Sequence, residues 1–362
     1  MEPEGKKRLY WHSCYGEISV IEQTYRRGRG GQQMRPFVEG AEIRCREYSQ
    51  PLQRVLTDFG AEESFGKAVE RLKEHYGIEV PSGAVRQITE QHAEAMLDQQ
   101  QELTDLPEQG RQPQLIGEMD GSMVPLVAVK EDASEDRRKT RTISWQEARL
   151  ALARVPGSVT ARFGATMGSV DQAGDQLTDC VIRQGGGSKT KIHCVGDGAS
   201  WIAEQVERCF GTQGSYLIDF YHVSQYLAAA AESIAPNKQR QWLHRQQDHL
   251  KANRLKTVFK TLATNLEPTQ TAAAEAPVRA CYRYLSNRAK HLDYRRALKE
   301  GLPIGSGEIE SSHRSVVQKR LKIAGAWWKR DNAEKMIALR IQRANKEWQS
   351  YWQRFCQSET QI

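Results

Sequence analysis

Apolar residues along this chain fall into three regimes: helical spacing, strand-like runs, then helical spacing again. From residue 61 to 97 the period is helical. SFGKAVERLKEHYGI places Phe65, Val69, Leu72 and Tyr76 on one face, and Gly77 ends that helix. EVPSGAVRQITEQHAEAM restarts it, with Ser82 as the expected N-cap and Val85, Ile88 and His92 on one side. Helix, short turn with Gly, helix is a helix-turn-helix outline, and its second helix would offer Arg86, Gln87 and Gln91 to a groove.

Residues 114–219 alternate strands and helices. QLIGEMDGSMVPLVAV, ISWQEARLALARV and SVTARFGATMG predict three strands in a row. SVDQAGDQLTDCVIRQ predicts a helix, KIHCVGDGAS a strand ending at Asp197, WIAEQVERCF a helix and SYLIDFYH a strand ending at Asp219. The pattern implies α/β architecture, a mixed sheet with helices on its faces. Residues 220–300 are helix-rich and carry no strand signal, with EPTQTAAAEAP as a flexible break. A loop marked by Pro and Gly then runs into Ser306, an expected N-cap. The stripe Ile309, Val316, Val317 and Leu321 predicts a helix whose other side carries Arg314, Lys319, Arg320 and Lys322. The helical pattern continues to the aromatic run WQSYWQRF.

These regimes set the expected boundaries. Residues 1–60 read as short strands and loops, including the basic Gly-rich loop TYRRGRGG, and 61–97 as the helix-turn-helix-like region. Residues 98–113 are polar and Pro-marked, a linker. Residues 114–235 form the first part of a core, 236–303 a helical insertion, and 304–355 the C-terminal helices that return to the core.

Composition narrows the class. The 362 residues, 39% hydrophobic and 27% charged, fit a folded chain with two or three domains. No run of about 18 apolar residues predicts a membrane span, and MEPEGKKRLYWHS has no apolar signal region. Seven scattered cysteines without a CxxC pair point to reduced thiols and a cytoplasmic setting. Net charge is +7 and the pI about 9.0. Residues 311–346 hold ten Lys/Arg against two acids, and 236–260 hold seven against one. Two basic blocks flanking an acidic site favour a nucleic-acid partner.

Asp120 (EMDGS) and Asp197 (VGDGA) each sit on an apolar strand, where an unpaired charge is costly. An Asp-Gly pair is also an ordinary turn signal. Glu308 and Glu310 occupy the first turns of the helix after Ser306, where the macrodipole favours acids whether or not they do chemistry. If Asp120, Asp197 and Glu310 converge, they repel one another unless cations sit among them. Hard divalent ions with oxygen ligands are the expected occupants, and a two-ion site supports phosphodiester displacement. Asp219 and His222 form a second acid–His pair, either a helix cap with a core His or an accessory pair beside the metals. Trp145 reads as core packing. Trp327 and Trp328, beside Lys329 and Arg330, could stack on bases, though packing is the commoner fate of such residues.

Together, Asp120-Gly121, the strand ending Gly196-Asp197-Gly198, the DxxH of Asp219–His222, SWQEAR and GSGEIESSHRSVVQKRLKIAGAWW resemble bacterial insertion-sequence transposases. These are DDE enzymes of the Mutator-like superfamily, near the groups called ISKra and ISLre. The resemblance runs from about residue 8 to 345, and the GSGxIES…R…K…G…W pattern is its most specific part. It implies an RNase H-like core with an α-helical insertion and an N-terminal DNA-binding region. It also implies strand cleavage and strand transfer dependent on Mg²⁺ or Mn²⁺, with two ions. Asp120, Asp197 and Glu310 would be both catalytic residues and metal ligands, with Asp219 and His222 accessory. Arg86, Gln87, Arg314, Lys319, Arg320, Lys322, Lys329 and Arg330 would contact double-stranded DNA, and pairing of two element ends implies a homodimer or higher oligomer near the nucleoid. Relatives often carry Cys pairs in an N-terminal extension that this sequence lacks. The alternative expectation is therefore a truncated or catalytically inactive transposase-derived DNA-binding protein. An RNase H-fold nuclease acting on other nucleic acid is a third.

Overall fold

The computed structural model describes residues 1–28, 30–41, 47–100, 103–129 and 141–359. Arg29 of the Gly-rich loop, Cys45, Gln101 and Glu102 of the linker and most of the charged loop EDASEDRRKTRT lie outside the described residues. The chain divides into two compact units, one of Met1–Gln100 with Lys319–Ile362 and one of Gln101–Gln318. Both α-helices and mixed sheets are present. No helix among the described residues is long and apolar enough to cross a membrane.

The first unit opens with a long hairpin where short strands were expected. Strands β1 (Glu2–Ser13) and β2 (Gly16–Arg26) pair antiparallel from Ser13↔Gly16 to Glu2↔Arg26. β3 (Gln33–Met34) and β4 (Glu47–Tyr48) complete the sheet order β3-β2-β1-β4, with α1 (Pro36–Ala41) between them in sequence. The first seven residues of β1 are all exposed, so neither face needs apolar residues and no two-residue period marks the strand. Three helices follow: α2 (Gln50–Glu62), α3 (Phe65–Tyr76) and α4 (Ser82–Asp98). Ser49 and Ser64 cap the first two by accepting the N–H of Leu52 and Lys67. Gly77 closes α3 in the left-handed region at φ 64°. Pro81 rather than Ser82 precedes α4; Ser82 is its first helical residue, and no side chain caps that end. Leu52, Leu56, Ala68, Leu72, Val85 and Ile88 interlock as one core, and each large aliphatic so buried stabilises by about 1.5–3 kcal/mol.

The second unit centres on a five-stranded sheet: β5 (Gln114–Val129), β6 (Arg141–Arg154), β7 (Ala161–Thr166), β8 (Lys191–Gly196) and β9 (Gly214–Ile218). The order is β7-β6-β5-β8-β9. β5, β6 and β7 run antiparallel, while β8 and β9 run parallel to β5. Helices α5 (Val170–Arg183) and α6 (Ser200–Phe210) link the strands. α5 starts at a full capping box in which Ser169 and Gln172 bond reciprocally. Gly117 on β5 gives α5 its close approach, since a Cβ there would lie 3.3 Å from Leu177 and 3.0 Å from Cys194 Sγ.

After β9 the chain is helical, as expected: α7 (Phe220–Ile234), α8 (Gln239–Lys251), α9 (Leu255–Ala263), α10 (Pro277–Ser286) and α11 (Tyr294–Lys299). Their apolar faces join the sheet in one core containing Leu227, Leu250, Leu262, Cys281, Leu285 and Tyr294. The break between α9 and α10 is held at one end by Glu267, whose carboxylate accepts the N–H groups of Val278 and Arg279.

Helix α12 (Gly307–Ser312) carries Glu308 and Glu310. It continues not as one α-helix but through a π-helical turn, His313–Gln318. Ser306 stands at the N-cap position, yet its side chain caps nothing there, because its hydroxyl is committed elsewhere.

The first unit is completed by α13 (Lys319–Leu321), α14 (Arg330–Ala344) and α15 (Trp348–Glu359). Leu339, Tyr351 and Trp352 pack with Ala61, Ala93 and Met96. The segment expected to return to the core as a whole thus divides between the units at Lys319. Trp328 is buried, and Trp327 is half exposed. Trp145, expected in the core, is 59% exposed. The cause is strand length. β8 pairs with β5 only up to Glu118, and β7 pairs with β6 only from Arg149. The far ends of β5 and β6 are therefore a two-stranded ribbon, and no other strand among the described residues pairs with it beside Trp145. The six described cysteines form no disulfide with one another.

Candidate active site

The parallel β5–β8 ladder runs in register from Gln114↔Lys191 to Glu118↔Val195. Asp120 and Asp197 each lie two positions past that last rung. Side chains two apart on a strand share a face, so Asp120, within β5, lies on the face of Glu118, and Asp197 follows at the first position after β8. Asp120 is partly buried and its Oδ1 accepts the N–H of Gly121 at 2.7 Å. Asp197 Oδ1 accepts the N–H of Ala199 at 2.9 Å, beyond the left-handed Gly198 at φ 91°.

Glu310 reaches the same neighbourhood from α12. Burial pushes the Asp120 carboxyl above the usual carboxylate range, and the negative charges of Asp197 and Glu310 push the same way. His313 and the Gly121 N–H oppose them. His313 is buried; its Nε2 donates to the Asp120 carbonyl oxygen at 2.9 Å and lies 3.7 Å from Asp120 Oδ2. Glu310 is exposed, as is Glu308. The two glutamates act on different partners: Glu310 on Asp120 and Glu308 on Glu118.

Glu118 was missed in the sequence. It lies two residues before Asp120, on the same face of β5, and is 1% exposed. One oxygen accepts the N–H of Ile309 at 3.0 Å, and the other lies 3.6 Å from Arg154 Nη2. Burial pushes its pKa up to about 7, against the pull of the Ile309 N–H and Arg154. The signal was available in GEMDG, where a Glu interrupts an apolar strand.

Asp219 is equally buried. Oδ1 accepts the N–H groups of Tyr221 at 2.6 Å and His222 at 3.1 Å, capping α7. Oδ2 accepts both the N–H and the hydroxyl of Ser306, each at 2.6 Å. The expected acid–His pair is thus joined through the His222 backbone, and the Asp fastens the loop that leads into α12. Gly305 is needed in that loop because a Cβ there would meet the Tyr221 ring at 2.8 Å. Gln318 adds a bond to Ser122 Oγ at 3.1 Å. Glu118, Asp219 and Ser122, on β5 and at the end of β9, therefore hold the segment that presents Glu310.

The predicted DNA contacts separate by environment. Arg86 and Gln87 are exposed on α4, and Arg314 is exposed one turn beyond Glu310. Lys319 is exposed and pairs with Glu62 at 2.7 Å. Lys322, Lys329 and Arg330 are exposed, and Arg330 lies 3.8 Å from Glu334. Arg320 departs from the expectation of a DNA contact. It is 2% exposed, donates from Nε to the Gly60 carbonyl at 2.9 Å, and stacks between Phe65 and Trp328 at 4.8 Å from each ring. Burial lowers its pKa to about 10. It is a core residue of the first unit.

Among the described residues, no group of three or more His, Cys, Asp or Glu side chains is gathered so that it could hold a metal ion. The donor chemistry of Asp120, Asp197 and Glu310, oxygen ligands only, is of the kind that hard divalent cations take.

Such a chain is of a recognisable class, an α/β protein built on mixed sheets and helices. It belongs to the Uncharacterised protein family (UPF0236), which matches residues 43–351. Comparison with curated proteins finds no match. Among solved structures it is similar to one described as the Drosophila P element transposase strand transfer complex. Identity is 9%, coverage 90% of this chain and 84% of that one, and the TM-score 0.28, too low for the likeness to bear on fold or function.

Proposed function

We propose that this protein is a DNA transposase of an insertion sequence, with an RNase H-like core in its second unit, performing metal-dependent strand cleavage and strand transfer. What supports this reading is that the charges of Asp197 and Glu310 both act on Asp120, with each aspartate two positions past the last rung of the parallel β5–β8 ladder. The sheet order β7-β6-β5-β8-β9, three strands antiparallel and the last two parallel to β5, supports the core assignment.

In this reading Asp120, Asp197 and Glu310 hold Mg²⁺ or Mn²⁺. Bound there, the ions would lower the pKa of an attacking water or 3′-hydroxyl and stabilise the leaving oxygen. The chain's own residues do the rest. His313 fixes the Asp120 backbone, so that the first acid keeps its orientation. Glu118 and Asp219 fix the start of α12, which sets where Glu310 stands. Arg314 lies on the exposed side one turn on, placed to neutralise a phosphate of the strand being cut. Arg86 and Gln87 on α4 belong to the helix-turn-helix-like pair that would engage element ends, and joining two ends calls for a dimer or larger assembly.

The test is nicking and strand joining on labelled element-end DNA with Mg²⁺, Mn²⁺ or EDTA. Wild type is run beside Asp120→Ala, Asp197→Ala, Glu310→Ala and Glu308→Ala. Metal-dependent activity lost in the first three and kept in the last supports the assignment. Activity surviving Asp197→Ala overturns the triad. DNA binding without nicking in wild type points to a transposase-derived binder, and cleavage of RNA–DNA hybrid without joining points to a nuclease.

A further inference from the structure

The turn that carries Asp197 is held from outside its own strand. The Asp197 carbonyl accepts from Tyr284 Oη at 2.7 Å. The Gly198 N–H donates to Tyr216 Oη at 3.0 Å, and the Gly198 carbonyl accepts from Arg288 Nε at 2.7 Å. Three consecutive backbone polar groups are thus satisfied by side chains. Two of these, Tyr284 and Arg288, come from the helical segment nearly ninety residues later.

That segment is itself stiffened. Arg288 stacks on the Tyr284 ring at 4.4 Å, and Tyr284 stacks on Tyr226 of α7 with ring centres 4.0 Å apart. Gly198 has φ 91°, and a Cβ on it would come within 2.5 Å of Tyr284 Oη, so the fit excludes any other residue. A strand end needs none of this to be a turn. It does need it if the carboxylate on that turn must keep one direction while like charges push against it.

We propose that Tyr284 and Arg288 are positioning residues for Asp197. The helical insertion is on this view part of the catalytic apparatus rather than only a basic surface. The functional half of this inference rests on the transposase reading; the structural half does not.

The experiment pairs two readouts on the full chain. The first is amide hydrogen exchange of the metal-free protein. Tyr284→Phe and Arg288→Ala each remove one bond to the turn itself, worth a factor of about five in local opening. Exchange at Gly198 and Ala199 should rise by that factor, while the β8 amides of Ile192–Val195 stay protected. Arg288→Lys, which keeps one donor, should restore part of it. The second readout is nicking: kcat should fall about fivefold, with KM for DNA within twofold of wild type.

Unchanged exchange at Gly198 and Ala199 in both Tyr284→Phe and Arg288→Ala overturns the proposal. Raised exchange with unchanged kcat overturns the catalytic half alone. Raised exchange in a protein whose wild type does not nick DNA leaves the clamp standing and removes the transposase reading. If Tyr284→Phe unfolds, Arg288→Ala and Arg288→Lys, at a half-exposed position, carry the test.

Discussion

His92 makes the stability of the first unit depend on pH in a calculable way. It sits on α4, the helix that carries Arg86 and Gln87, and is 1% exposed. Its Nε2 lies 2.9 Å from Gln53 Oε1, and the Gln53 amide nitrogen donates to the Tyr48 carbonyl at 2.7 Å. The second bond fixes which end of the amide faces His92, so Nε2 carries the proton and Nδ1 accepts from Tyr351 Oη at 2.8 Å. Trp352 and Phe355 close around the ring. Burial lowers the pKa from 6.5 to about 4. A folded value below the unfolded one means that the folded state binds fewer protons. The stability this group contributes is therefore complete above about pH 6.5 and is lost as pH falls toward 4. The whole effect is about 3 kcal/mol, of which about 2 kcal/mol disappears between pH 7 and pH 5. His92→Gln should cost about 2–4 kcal/mol at pH 7, because Tyr351 and Gln53 lose partners. It should not titrate, so its deficit against wild type should shrink by about 2 kcal/mol at pH 5. Urea unfolding followed by circular dichroism and tryptophan fluorescence at both pH values measures this. A deficit constant to within about 0.5 kcal/mol would refute the assignment of a buried neutral imidazole.

Other expectations concern the acidic cluster and the arginines. Glu118→Ala leaves the Ile309 N–H and the Arg154 guanidinium without their acceptor, and should destabilise by about 3 kcal/mol in urea titrations. Glu118→Gln keeps an acceptor for Ile309 and should cost less. Arg314→Ala should lower the slope of log K against log salt for element-end DNA by about one unit, measured by fluorescence anisotropy. Arg320→Ala should leave that slope unchanged in folded protein but cost about 3 kcal/mol of stability, since it empties a site between two aromatic rings.

Much of the fold was legible where the two periodicities were strong. β5 falls on the stretch read as a strand, and the strand and helix order through α7 follows from alternation and Gly punctuation. What failed had physical causes. The first seven residues of β1 are exposed and the buried positions of β2 are Glu22 and Thr24, so no apolar period marks the two strands. Trp145 looked like core because a sequence does not show where a neighbouring strand stops. The helix after Ser306 looked continuous because a π turn changes the hydrogen-bond ladder without changing the apolar stripe. Arg320 looked like a surface cation because its charge is visible in sequence and its ring partners are not. Among the site residues, Asp120, Asp197 and Glu310 could be named from context, and the charges of the last two act on Asp120. Glu118, Tyr284 and Arg288 could not, because their roles are bonds to backbone groups far away in sequence.

The level placement of Asp120 and Asp197 depends on a parallel ladder that runs in register to its last rung. Inserting or deleting one residue between Gln114 and Asp120, or between Lys191 and Asp197, would shift one acid by about 3.3 Å and turn it to the opposite face of the sheet. The connections between strands from Asp120 to Lys191, and those between helices from Asp197 to Glu310, are under no such register constraint, unlike β6, β7 and β9 themselves. Length variation in this protein should therefore be tolerated in those connections and forbidden just before the two aspartates, a pattern that an indel library scored for DNA nicking would display directly.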